Sequence, residues 1–431
     1  MDRHRDEVNG RGCVPTDRGP QLVPSLGLRI PRLGATPPVR LLGRALALSL
    51  LAAFIRIPGS VEAQRPARSV SINVGVDTSD ADVGAIVRLL KSYLAKPDTS
   101  AAARRLWRTV DSFDQRGGDL HRGLAYQGFP ATIIGIVSAG AGDSVYVAKI
   151  IHATADSSGL EIRPLALQRL YVVRAPGAEH GWLLSNALPR LTRDWPTRRV
   201  GRITYHYAPG QQPNLERARV AIGFIDSVAE TFALAPPDRL DYYVTASPDE
   251  YLRALGLDFF PLPSGRGSAT GGQALNESGI VLSGDPSQGE AYRHELAHVV
   301  LRGRLGGGAI LEEAVPTWLG GSKGRSATAM YRLLAAFQKA RPDVTLEALV
   351  RGTAGWGPRE NDARWATGAL FVESVYRRAG IAGLRRLAGT PSEPDRLLQA
   401  MSNHLSLPDL NFPALERWWR QETERAAAQT P

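Results

Sequence analysis

The residues best placed to do chemistry are His294-Glu295-Leu296-Ala297-His298. Two imidazoles four positions apart on a helix leave it on the same face and can grip one metal ion. The glutamate between them is turned by about one residue step. That places Glu295 to hold a metal-bound water and take its proton. Zinc lowers the pKa of such a water to roughly 7, so hydroxide is at hand near neutral pH. A hydrolytic zinc site needs a third protein ligand and one open position. The single cysteine, Cys13, falls in an N-terminal leader, so the ligands must be histidines and carboxylates. The bland rival is a pair of buried histidines making ordinary hydrogen bonds. A buried pair needs a partner, and a metal is one.

The third donor is sought in Ile310-Leu311-Glu312-Glu313-Ala314-Val315-Pro316-Thr317-Trp318, which follows a glycine-rich turn. Adjacent helix positions diverge by about 100°, so only one of Glu312 and Glu313 can face a metal. The alternative is that both are solvated acids at a helix N-terminus, where the dipole favours them.

This run resembles the second helix of the gluzincins, the MA-clan metallopeptidases that include thermolysin-like and aminopeptidase N-like enzymes. Their pattern W-L-x-E-G-x-A-x-Y/W carries the zinc-binding glutamate. The resemblance puts that role on Glu313, with Trp318 at the aromatic end. Ala314 replaces the family glycine, and Pro316 should kink the helix or move its start. Further on, Trp365-Ala366-Thr367-Gly368-Ala369-Leu370-Phe371-Val372 is similar to the Y-x-x-G-x-x-x-V/L helix of the same enzymes. There the tyrosine stabilises the oxyanion, a role the resemblance moves to Trp365. An indole N–H donates one bond but cannot exchange a proton, and losing an oxyanion donor costs about a hundredfold to a thousandfold in rate. Tyr331 is the other candidate donor. Gly271-Gly272-Gln273-Ala274 resembles the substrate-edge strand, against which an extended peptide can pair through its backbone. An acidic motif for a free substrate amine is not evident; Glu277 is the nearest candidate, so aminopeptidase action is not implied. The resemblance covers roughly residues 200–425. It implies a secreted, peptidase MA-like zinc metallopeptidase with metal ligands His294, His298 and Glu313, catalytic residues Glu295 and Trp365, and a peptide or protein substrate. The alternative is a catalytically weak or inactive zinc-binding protein that acts as a ligand-binding or scaffolding module.

The elements that must position these groups are partly legible. Ser287-Gln288-Gly289-Glu290 has the form of a capping box, with Ser287 as N-cap and Glu290 at N3, opening the histidine helix. Tyr292, Leu296, Val299 and Val300 form one apolar stripe, and Ala297 and Leu301 lie on the histidine side, so the helix is expected to be buried. Upstream, Ile203, Tyr205 and Tyr207 alternate as a strand, and Ala221, Phe224, Ile225, Val228 and Phe232 mark a helix. Strands are expected at 240–245 and 280–282, with helices after Ser287. Earlier still, Val83 to Leu94 and Leu106, Val110 and Phe113 recur at helical spacing. Strands over 132–137, 144–152, 164–173 and 182–188 follow, separated by Gly, Asp and Ser turns. Residues 190–199 read as a linker. The expected fold class is α+β. A small N-terminal α+β domain (66–195), faintly like a cystatin-type cone, precedes a zincin-type α+β domain (199–427) with a helical C-terminal half. His121, His152 and His206 are read as structural or solvated.

Residues 1–63 look like a targeting segment. A long basic, Pro- and Gly-rich region leads into an apolar run at 45–55 and then Val61-Glu62-Ala63. This is the order of a signal peptide cleaved after Ala63. This run of eleven residues, ten of them apolar, falls short of the ~20 needed to span a bilayer. A secreted or periplasmic protein without stable membrane insertion is therefore expected. The formal charge of +10 is inflated by this segment, which holds nine arginines and five acids; the remainder carries 43 bases and 37 acids. Those charges are scattered rather than blocked, which argues against a nucleic-acid partner.

Overall fold

The strand-like runs before Trp195 become strands of one sheet. In the computed structural model, residues 69–95, 101–111, 130–140, 144–155, 162–260, 271–275, 278–301, 309–355, 357–388, 393–407 and 409–429 are described. The expected signal segment with Cys13, and also Phe113, His121, Glu277 and the glycine-rich turn at 305–308, lie outside them.

The first sheet has the order β1 (Val70–Ile72), β2 (Ala131–Ser138), β3 (Val145–Ala155), β4 (Ile162–Arg174), β5 (Trp182–Ser185). Only β1 and β2 run parallel. On one face lies α1 (Ala81–Ala95), whose Ile86, Leu89, Leu90 and Tyr93 pack on Ile133, Ile150, Val172 and Trp182. Among the described residues, the helix expected through Leu106, Val110 and Phe113 is not continuous. One turn, α2 (Ala101–Arg104), and a 3-10 turn at Thr109–Asp111 flank a stretch in which Leu106 and Arg108 bond in strand fashion with Leu184, and Val110 stays exposed. The edge of β5 offered those backbone groups partners that a short helix could not.

A one-turn helix α3 (Leu188–Leu191) leads to β6 (Thr197–Val200). The expected linker is thus partly a strand, because Gly201 at φ 56° turns the chain back and β6 pairs with β7 (Ile203–Tyr207). The chain continues through α4 (Leu215–Thr231), β8 (Leu240–Val244), α5 (Pro248–Ala254), β9 (Leu257–Phe259), β10 (Gly272–Leu275) and β11 (Ile280–Ser283), and β6 and β7 open a second sheet. Its order is β10-β11-β8-β7-β6, with β11, β8 and β7 parallel and both edge strands antiparallel. The remaining described helices are α6 (Arg293–Leu301), α7 (Ala309–Gly320), α8 (Ala327–Ala340), α9 (Leu346–Arg351), α10 (Pro358–Ala388, broken at Gly380), α11 (Pro394–His404) and α12 (Phe412–Ala427). Mixed sheets with this helical half make the fold α+β. No described helix is long and apolar enough to cross a membrane.

The second sheet's two faces do different jobs, as strand alternation dictates. Ile203, Tyr205, Tyr242 and Val281 face α4 and α6 in the larger core. Tyr243 and Leu282 face the other way, into a core shared with Ala166 of β4 and Leu188. Strand β9 does not join the second sheet but pairs with β4 of the first. There Gly256 at φ 87° lets the chain approach, and a Cβ would stand 2.7 Å from the Arg169 carbonyl oxygen. The Arg169–Asp258 ion pair, at 2.6 Å, closes the same junction.

Candidate metal centre

The histidine helix is aimed by the sheet beneath it. The Tyr242 hydroxyl donates to the Gly289 carbonyl at 2.7 Å and accepts from the Tyr292 N–H at 3.0 Å; Tyr205 donates to the Glu290 carbonyl at 3.3 Å. These bonds hold a 3-10 turn at Gly289–Ala291, after which α6 starts at Arg293. The expected capping box is not made. Asp285, rather than a helix N–H partnership, engages Ser287, accepting from its N–H. The Glu290 carboxylate is buried and accepts from the Asn214 N–H at 2.6 Å. A long-range bond to a buried carboxylate has displaced the local cap.

On α6, His294 and His298 lie on one face with ring centroids 4.9 Å apart. Glu313 reaches them from α7. Its Oε2 is 3.1 Å from His294 Nε2 and its Oε1 is 3.7 Å from His298 Nε2; the two Nε2 atoms are 3.2 Å apart. Ligand bonds of about 2.0–2.1 Å at tetrahedral angles separate ligand atoms by roughly 3.3 Å. The three groups therefore fit a single ion, and they are a group that could hold a metal. Glu312 is exposed, so the choice between the two acids falls on Glu313. Pro316 does not break or shift the helix. It is buried inside α7, where its missing N–H leaves the Glu312 carbonyl without its usual helical partner.

The electrostatics follow from the crowding. Burial lowers the His294 pKa, but the hydrogen bond to Glu313, the charges of Glu295 and Glu313 and the Gly321 carbonyl outweigh it and bring it up to about 9. Burial pushes Glu313 up, yet the charge of His298 and the bonds from both histidines hold it well below the ordinary carboxylate range. Glu295 is raised by burial, partly offset by the two histidines and by a hydrogen bond from the Ala274 N–H. That last contact places the edge strand β10 beside the candidate general base. Gly272 makes the approach possible, since a Cβ there would lie 2.7 Å from the Tyr292 ring.

Sequence reading missed the glycine pair that ends α7. A Cβ on Gly320 would stand 2.5 Å from the His294 backbone nitrogen, so α7 can lie against the start of α6 only with glycine there. Gly321, at φ 75°, then presents its carbonyl to His294 Nδ1 at 2.7 Å. A carbonyl can only accept, so Nδ1 carries the proton and Nε2 faces the ligand cluster. The available signal was a Gly-Gly dipeptide directly after the ligand helix. Trp365 lies on α10 with Lys323 Nζ 5.1 Å from its ring centroid. Tyr331 is buried and its hydroxyl donates to Glu373 at 2.7 Å, which commits it to the helical core. His152 bonds buried Gln168, and His206 bonds Asp241 and stacks on Tyr243, both within sheets. Compared with models of known families, with curated proteins and with solved structures, the chain matches none.

Proposed function

We propose that this chain is a zinc-dependent hydrolase that cleaves peptide bonds, and that it works outside the cytoplasm. The observation that carries the reading is the convergence of His294, His298 and Glu313 on one point beside a buried Glu295. An N2O ligand set of this kind suits zinc and leaves a position open. When bound, the ion supplies Lewis acidity and acidifies water. The protein's own groups do the rest. Glu295, with a raised pKa, takes a proton from water and returns it to the leaving amine. The Ala274 N–H keeps its carboxylate at the edge of β10. Strand β10 ends its sheet, pairing with β11 on one side alone, and an extended peptide can add on the other as a further strand. The gluzincin resemblance, the apolar run at 45–55 and the dispersed charge support a secreted enzyme with a peptide or protein substrate and no nucleic-acid partner.

A second reading is a zinc-binding module with little turnover. It is favoured by Trp365 at the position of the family's tyrosine and by the commitment of Tyr331 to Glu373. The experiment is Glu295→Gln, assayed for zinc content and for cleavage of a complex peptide mixture. Retained zinc with cleavage lost supports the hydrolase; cleavage at the wild-type rate sinks the mechanism. Zinc in both forms with cleavage in neither makes the binding module the better reading.

A further inference from the structure

The His294–Gly321 bond is only as firm as the turn that presents the carbonyl. That turn is a tight hairpin. Ser322 and Arg325 exchange both backbone bonds, at 2.9 and 3.0 Å, across Lys323 at φ 52° and Gly324 at φ 73°. Two successive positive φ values define a type I′ turn. Lys323 is a side chain that seldom adopts this conformation, so something outside the turn must hold it. Asp362 of α10 does. One carboxylate oxygen is 2.8 Å from Lys323 Nζ and the other is 3.2 Å from Arg325, gripping the hairpin on both sides of its tip. The lysine side chain is 7% exposed, and its ammonium lies over Trp365. Exposed ion pairs hold little, whereas breaking a buried one strands a charge. The tip also abuts the turn before α6, where a Cβ on Gly324 would be 2.9 Å from Gln288 Nε2.

We infer that Asp362 is a positioning residue for the metal centre: through Lys323 and Arg325 it fixes the 321–325 hairpin, and so the Gly321 carbonyl that orients His294. This rests on the metal-site reading above. It gives Lys323 and Trp365 a shared purpose that does not require either to touch a substrate.

The test is the zinc affinity of the full chain, by competition with a chromophoric chelator, together with the visible absorption of the cobalt-loaded form. Asp362→Asn is expected to bind zinc about tenfold more weakly, the low end of what losing an outer partner of a ligand histidine costs, and to shift the cobalt bands. Asp362→Glu should restore both. Asp395→Asn, which removes the Arg351–Asp395 pair on helices that carry no ligand, should leave affinity unchanged. Where Asp362→Asn does not fold, Lys323→Met is measured instead and should show the same weakening. Wild-type affinity in the Asp362 or Lys323 variant overturns the inference, as does equal weakening in Asp395→Asn. Wild-type protein that takes up no zinc overturns the metal-site reading and the inference with it.

Discussion

Glu312 and Glu313 carry the same group on neighbouring residues, and helix rotation alone separates them. One step of about 100° turns Glu312 to solvent and Glu313 toward both histidines. The expected consequence is a sharp asymmetry. Glu313→Ala removes a ligand and leaves two, so its zinc affinity should fall by more than the roughly 10–100-fold that an outer partner costs. Glu312→Ala should bind as wild type. Metal content after dialysis against a graded chelator series distinguishes them, and equal losses would show that the helix face has been misassigned. Trp365 illustrates a different lesson at this scale. Its ring face lies under the Lys323 ammonium, a cation for which an indole face is well suited.

At the scale of elements, the candidate metal centre is built by two helices and one strand. The end of α7 lies against the start of α6, where Gly320 abuts the His294 backbone. Replacing Gly320 with Ala puts a methyl 2.5 Å from that nitrogen. Backbone cannot move aside as a flexible side chain can, so the helices must part. The expected cost is about 1–3 kcal/mol of stability, the usual scale of overpacking, with weakened zinc binding because Glu313 and His294 separate. A denaturant titration and a metal titration read the two effects. An unperturbed Gly320→Ala protein would mean that the helices have slack the packing does not reveal. Pro316 in the middle of α7 costs a helical hydrogen bond, yet burial in the core keeps the helix continuous across it.

Across the whole molecule, the two sheets share a core. Ala166 and Leu188 from the first half pack with Tyr243, Tyr251, Leu255 and Leu282 from the second, and β9 crosses over to pair with β4. A shared apolar core of this kind couples the stabilities of its two sides. Unfolding of the two halves is therefore expected as one calorimetric transition. Leu188→Ala should lower its midpoint, at a cost of about 2–5 kcal/mol for a buried leucine. Two resolved transitions in the wild type would show that the halves unfold independently.

What the sequence determined by itself is what depends on local spacing. The i, i+4 histidines, the alternating strand at 203–207 and the apolar face of α1 are legible because the periods of helix and strand place those side chains within a few residues of one another. The tertiary structure decided everything that rests on distant partners. His294 meets Glu313 and Gly321 across 19 and 27 residues. Glu290 leaves its expected cap for an N–H 76 residues away. The Leu106 segment gives up a helix for the edge of β5. In each case the local preference is worth about 1 kcal/mol, while a buried backbone group or carboxylate left without a partner costs more. Long-range satisfaction wins, and sequence spacing carries no trace of it.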